Sequence, residues 1–270
     1  MATNKIRTLW VIGGGNMGGA LLSRWCLAKV ADRIVLVDPA NIAVPAGCEK
    51  FPSIADVDGI PDIVVGAVKP HLAATALATL SERLDERSLF ISVMAGLGLA
   101  RIAALVPAGT PVRAMPNTPA QVGRGVTGLY ADDLTEEQRM VVSKLFNAVG
   151  ITHWLTEEGQ FDALTAVSGS GPAYVFRMVE ALAAAGIAAG LPEKAAHALA
   201  RGTIIGAGEL LRQDERSATE LRVAVTSPNG TTQAGLEALD EEPGLPAVVR
   251  SAVRAAAARS REMGQEDQAD

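Results

Sequence analysis

Through about residue 155, short apolar runs alternate with stretches of helical spacing. Residues 9–12, 34–37, 63–68, 89–94 and 112–114 are nearly continuous aliphatic runs, the pattern of strands buried on both faces. Helical spacing fills 72–84 and 99–106 between them, and 125–130 and 151–155 predict later strands around a helix over 135–148. Such alternation predicts a mainly parallel sheet, with ligands received at the C-terminal ends of its strands. After residue 160 strand signals almost vanish, and helices are predicted over 171–189, 192–212, 218–226, 231–239 and 245–263. Pro172 and Pro192 suit the first turns of two of these. Residues 181–190 are apolar nearly all round, so that helix must be covered on more than one side. So few residues cannot bury that much surface alone, and a helical core shared in a homodimer is expected. Gly202 and Gly206 stand one turn apart and would admit a close helix approach, while the polar tail 265–270 is expected to fray. The expected architecture is an α/β domain over 1–158 and an all-α domain over 159–270.

Composition narrows the field of partners. With 49% hydrophobic and 20% charged residues the chain falls among soluble globular proteins. A net charge of −6 with no basic run argues against nucleic acid and anionic membrane as partners. The stretch 172–191 carries Arg177 and Glu180, so no uncharged run is long enough to span a bilayer. Lys5 and Arg7 precede an apolar run that three glycines break after four residues, unlike a secretory signal. Cys26, on the first helix, and Cys48, in an expected loop, have neither metal nor redox spacing. His71, His153 and His197 are dispersed. A cytoplasmic protein without a metal site is expected.

Chemistry first enters at Ile12-Gly13-Gly14-Gly15-Asn16-Met17-Gly18. Gly13 permits a tight turn, Gly15 lets a pyrophosphate approach the backbone, and Gly18 lets helix and strand pack closely. A bare GxGxxG is weak among 27 glycines. Here a strand precedes it, a helix follows, and a second strand ends in Asp38, twenty positions after Gly18, where a carboxylate holds the adenosine ribose. The α/β domain thus reads as a Rossmann-type dinucleotide-binding domain. A second candidate lies at Ser227-Pro228-Asn229-Gly230-Thr231-Thr232. Asn229 and Gly230 can both take positive φ, and Thr231 and Thr232 stand where a helix begins. Amide groups at a helix N-terminus flanked by two hydroxyls suit a small anion such as a carboxylate.

Four further segments stand between these two. Ala67-Val68-Lys69-Pro70 closes the third main strand, at the edge where a nicotinamide lies in such folds, and Ser92-Val93-Met94-Ala95-Gly96 closes the next. Ala114-Met115-Pro116-Asn117-Thr118-Pro119-Ala120 forms an extended loop, and Ser168-Gly169-Ser170-Gly171-Pro172-Ala173-Tyr174 reads as a Gly/Ser loop entering a helix. Each alone fits a structural turn, and Asn117 alone fits an asparagine satisfying loop backbone. In their order they are far more specific.

Taken together, the chain resembles the pyrroline-5-carboxylate reductases from about Arg7 to Gly264, most specifically over 115–120, 168–174 and 227–235. The resemblance implies reduction of 1-pyrroline-5-carboxylate to L-proline by NAD(P)H, the last step of proline biosynthesis. It also implies an intertwined helical homodimer, assembled in many members into a decamer. On the family pattern the substrate carboxylate falls to Gly230, Thr231 and Thr232, with Ser227 beside them and Glu215 on the substrate side. The family's histidine two residues beyond that Glu is Ser217 here. Candidate cofactor contacts are Ile12, Gly13, Gly15, Asn16, Met17, Gly18, Asp38, Ala67, Val68, Lys69, Pro70, Val93, Met94 and Ala95. No residue stands out as proton donor.

Many members place small hydroxyl residues and a basic or amide group after the second strand, suited to a 2′-phosphate. Here Asp38 occupies the ribose position and no Arg or Lys follows until Lys50, so NADH is the expected cofactor. Arg33 and Asn41 are the groups that could instead reach a phosphate. Two rival readings fit less well. A β-hydroxyacid dehydrogenase carries a catalytic lysine on the helix after its Gly-rich loop, and this chain has no lysine between 168–171 and Lys194. A non-catalytic dinucleotide sensor would not need intact loops on both sides of a cleft.

Overall fold

Strand β1 (Ile6–Ile12) sets the pattern for the fold. From Leu9 to Ile12 its side chains alternate between the two faces of the sheet, and there both faces are buried. Leu9 and Val11 join Ile34, Leu36, Ile63 and Val65 in one cluster, while Trp10 and Ile12 join Val35, Val37 and Val64 in the other. A strand covered on both sides has no position for a polar residue, which is why these runs are continuous. The computed structural model describes residues 5–269.

The sheet has eight strands in the order β3-β2-β1-β4-β5-β6-β7-β8. They are β1, β2 (Ala31–Val37), β3 (Cys48–Phe51), β4 (Ile63–Gly66), β5 (Leu89–Ser92), β6 (Thr110–Met115), β7 (Gly125–Tyr130) and β8 (Gly150–Trp154). Only the β6–β7 pair is antiparallel among the described residues. The connection between those two is too short for a crossover. Helices α1 (Asn16–Ala28), α2 (Ala73–Ala76), α3 (Leu99–Leu105) and α4 (Glu136–Asn147) cover the faces. Leu21, Leu22 and Trp25 of α1 meet Val142, Leu145 and Phe146 of α4 on one side. Trp25 closes that contact by donating its indole N–H to the Leu145 carbonyl at 2.8 Å. Ala73, Leu77, Leu80 and Ile102 fill the other side.

Three expectations for this part need correction. Cys48 does not lie in a loop but opens edge strand β3, whose Glu49 is exposed and whose neighbours are half-buried. Four residues with two charges carry no apolar run to betray a strand. The helix expected over 72–84 is broken into α2 and a 3-10 turn at Leu80–Arg83. Its anchors Ala73, Leu77 and Leu80 keep helical spacing and stay buried, but β-branched Thr75 and Thr79 weaken the helix between them. Strands β4 and β5 end at Gly66 and Ser92, although Ala67 and Val93 each still donate one ladder hydrogen bond, to Ile12 and Gly66.

The remaining helices are α5 (Phe161–Leu164), α6 (Gly171–Ala188), α7 (Glu193–Gln213), α8 (Ala218–Ala224), α9 (Thr231–Asp240) and α10 (Leu245–Ala269). The Gly/Ser loop expected over 168–174 is instead the end of a π-helix, Thr165–Gly169, followed by Ser170 as the N-cap of α6. Pro172 sits in the first turn of α6, whereas Pro192 stands one place early, as the N-cap of α7. The helix α10 continues through the tail expected to fray.

The chain forms two compact units, one running to Gly169 and resuming at Ala256, the other Ser170–Ala255. The second unit is the less self-sufficient of the two. Its buried apolar residues are alanines, Ala183, Ala196 and Ala200, while Phe176, Leu199 and Ile205 are 63%, 57% and 61% exposed. Helices α6 and α7 approach where a Cβ on Gly186 would stand 3.4 Å from that of Ala196. At Gly202 and Gly206, by contrast, nothing beyond the helix's own local backbone comes within 4 Å of such an atom.

Candidate active site

The register of the sheet aligns Ile12 with Val37 and Gly66, and Gly66 with Ser92. Strands β1, β2, β4 and β5 therefore end together, and the segments that follow them share one edge. Gly13 turns the chain there at φ +98°, and a Cβ on it would stand 2.9 Å from the Ala67 backbone. A Cβ on Gly18 would lie 2.0 Å from the Gly13 carbonyl oxygen. Those two glycines are demanded by backbone contact. Gly15 differs, with open space above it. It caps α1, whose first turn holds no acidic residue, so amide N–H groups and the positive end of the helix dipole face that space.

Asp38 is fixed partly by the same loop and partly by its own. Its Oδ2 accepts the Gly14 N–H at 2.7 Å and its Oδ1 the Ala40 N–H at 2.8 Å. Each carboxylate oxygen keeps a further lone pair for a ligand hydroxyl. Arg33 is engaged elsewhere, in a two-pronged pair with Glu49 and a hydrogen bond to the Asp58 carbonyl at 2.7 Å. The Glu49 carboxyl is held below its usual range by that guanidinium. Gly14 belongs to this site although the glycine fingerprint leaves its position free. A Cβ there would stand 2.3 Å from Ile42 Cδ1.

The other cofactor candidates divide by what they can offer. Ile12, Val93 and Met94 are buried in the core, and Met17 packs against it, so they present backbone and wall. Ala67, Val68, Pro70 and Ala95 are half-buried along the edge, while Asn16 and Lys69 are exposed. Lys69 caps the turn that starts at Pro70. Asn117 is buried and structural. Its Oδ1 accepts the Val126 N–H at 2.9 Å and its Nδ2 donates to the Ser168 carbonyl at 3.0 Å.

In the helical unit, Ser227–Gly230 forms a turn closed by the Gly230 N–H on the Ser227 carbonyl at 3.1 Å. Asn229 takes φ +57°, but Gly230, the N-cap of α9, stays at φ −87°. Gly230 is needed for space instead, since a Cβ would meet Ser227 Oγ at 2.7 Å. Thr231 and Thr232 are exposed in the first turn of α9, which has no acidic residue. The loop is braced by Gln233, whose side chain accepts the Asn229 N–H at 2.8 Å. Glu215 lies exposed between α7 and α8, and among the described residues no hydrogen bond joins it to this loop. Ser217 is occupied with Glu220 in the capping box of α8. His71, His153 and His197 are exposed, and no metal-binding cluster is found among the described residues. Among those residues no helix is long and apolar enough to cross a membrane.

Residues 158–263 match the family description "Pyrroline-5-carboxylate reductase dimerisation", and residues 8–96 match "NADP oxidoreductase coenzyme F420-dependent". A pyrroline-5-carboxylate reductase of Synechocystis sp. is 38% identical over 95% of this chain and 98% of its own length. The solved pyrroline-5-carboxylate reductase of Coxiella burnetii superposes with a TM-score of 0.88 at 31% identity, covering 96% of this chain and 99% of that one. The Plasmodium falciparum enzyme, solved with NADP bound, gives a TM-score of 0.81 at 30% identity over 97% and 99% of the two chains. Such identity, sustained from end to end through both the dinucleotide edge and the dimerisation helices, means that the chain belongs to the pyrroline-5-carboxylate reductase family.

Proposed function

We propose that this chain reduces 1-pyrroline-5-carboxylate to L-proline with NAD(P)H, as the last step of proline biosynthesis in the cytoplasm. The observation that carries the reading is full-length family membership joined to a strand edge shaped for a dinucleotide. The residues present fit that cofactor, because Gly13 and Gly18 close the turn sterically while Gly15 leaves room at an amide-lined helix N-terminus. In this reading Gly15, Asn16 and Met17 receive the pyrophosphate, Asp38 the adenosine ribose, and Ala67–Pro70 with Val93–Ala95 the nicotinamide end. When bound, the reduced nicotinamide supplies a hydride to the C=N carbon.

The chain's own contribution is to bind and orient. The amides of Gly230, Thr231 and Thr232, with a threonine hydroxyl, take the substrate carboxylate, assisted by Ser227 and Glu215. Holding two reactants in register removes much of the barrier in such reactions. An iminium accepts hydride better than a neutral imine, so water or the protonated imine itself supplies the proton, and no side chain is assigned that role. NADH is the preferred form, supported by the fixed Asp38 carboxylate and by the engagement of Arg33 with Glu49.

The exposed apolar faces of α6 and α7 support a two-fold homodimer through the helical units, with a decamer as the larger assembly. The function is tested by incubating the purified chain with the imine and NADH or NADPH. Cofactor oxidation that requires the imine and matches proline formed is expected. Cofactor binding without imine-dependent turnover would favour the sensor reading.

A further inference from the structure

The segment after β5, Val93–Gly98, is anchored differently at its two ends. At its start the Val93 N–H bonds the Gly66 carbonyl and the Met94 N–H bonds the buried Ser92 Oγ at 3.2 Å. At its end stands Gly98, the N-cap of α3, which has no side chain to satisfy the helix amides. The cap comes from far along the chain. Glu158 Oε1 accepts the Leu99 N–H at 2.6 Å and a hydrogen bond from Arg113 Nη1 at 2.8 Å. Arg113 is held in turn, its guanidinium 4.1 Å from the centroid of the buried Phe161 ring. The next residue, Asp162, accepts the Ser260 hydroxyl at 2.7 Å and pairs with Arg261 of α10. A turn further along α10, a Cβ on Gly264 would stand 3.4 Å from the Gly96 carbonyl oxygen.

We propose that Glu158 is a positioning residue for the nicotinamide end of the cofactor, acting through the Val93–Gly98 segment. This rests on the assignment of Val93–Ala95 to that end of the cofactor under the proposed function. The segment turns at Gly96, φ +84°, so its path depends on where its ends are held. The sheet fixes the first end, and the Glu158 carboxylate fixes the second. A charge-assisted bond to a helix amide is short and directional, and the Arg113 side chain, 15% exposed, has little water to replace its partner.

The test compares the binding of NADH with that of ADP-ribose, which lacks the nicotinamide, in wild type and in Glu158→Ala, by fluorescence and calorimetric titration. Loss of the cap is expected to raise the NADH Kd by about tenfold while leaving the ADP-ribose Kd within about twofold of wild type. Glu158→Asp keeps the charge but draws the carboxylate back from Leu99, and it is expected to move the ratio in the same direction. It decides the matter should the alanine variant not fold. A ratio of NADH to ADP-ribose affinity equal to wild type in the folded variants, including equal weakening of both ligands, would mean a purely structural cap and overturn the proposal. Wild type that binds ADP-ribose but neither NADH nor NADPH would remove the nicotinamide assignment itself.

Discussion

In the proposed function Asp38 sets the choice of cofactor, because its carboxylate is held in place. Its two oxygens are held by backbone amides, that of Gly14 in the glycine loop and that of Ala40 two residues on. A 2′-phosphate brought to this point meets a fixed like charge, a repulsion of about 4 kcal/mol at 4 Å for an effective dielectric of 20 and less where water screens it. Wild type is therefore predicted to show a higher kcat/KM with NADH than with NADPH, and Asp38→Ser to narrow the gap. A preference of about tenfold or more for NADPH in wild type would contradict the role given to Asp38. At the other site, Thr232→Ala is predicted to raise the imine KM on the order of tenfold, as expected for one lost hydrogen bond to a charged group, with the cofactor KM unchanged. An unaltered imine KM would move the carboxylate elsewhere. Gly13 and Gly18 are legible in the sequence because their need arises within a local strand–turn–helix unit. The need for Gly14 arises from Ile42, and the cap on Leu99 comes from Glu158; neither distant contact leaves a local signal.

Elements were legible where burial on two faces forces a continuous apolar run, as in β1, β2, β4 and β5. Edge strand β3 was not, because it pairs through backbone and its side chains Glu49 and Lys50 follow no apolar pattern. The break after α2 escaped because its buried anchors keep helical spacing across it, and the π-helix at Thr165–Gly169 escaped because Ser168 and Gly169 read as a loop. The placement of β3 has a measurable consequence. Burial pushes the Cys48 thiol up from 9.0 to about 12, with Cys26, itself raised by burial, adding to the shift. The folded state thus keeps a proton that the unfolded chain loses, so stability falls as pH rises from 9.0 toward about 12. Cys48 in the folded protein is predicted to alkylate far more slowly than in the unfolded chain at about pH 8, and mass spectrometry of iodoacetamide-treated samples reads this directly. Equal rates would place Cys48 outside β3.

At the scale of the whole molecule, the α/β unit closes its own core and the helical unit does not. Alanines are its buried apolar residues, while Phe176, Leu199, Ile205, Leu210 and Leu211 stand exposed. Apolar surface of that extent is characteristic of an obligate interface, and the matched family description for 158–263 is a dimerisation segment. Sedimentation is predicted to show a two-fold dimer or a multiple of it at low micromolar concentration. A stable, folded monomer would contradict this. The central claim, that the chain transfers hydride from the reduced nicotinamide to the imine, is tested most directly with NADH carrying deuterium at the transferred position of nicotinamide C4. With 1-pyrroline-5-carboxylate as co-substrate, the account predicts proline bearing one deuterium at the former C=N carbon, in amounts matching the cofactor oxidised. Proline without the label, or label lost without proline, would contradict it.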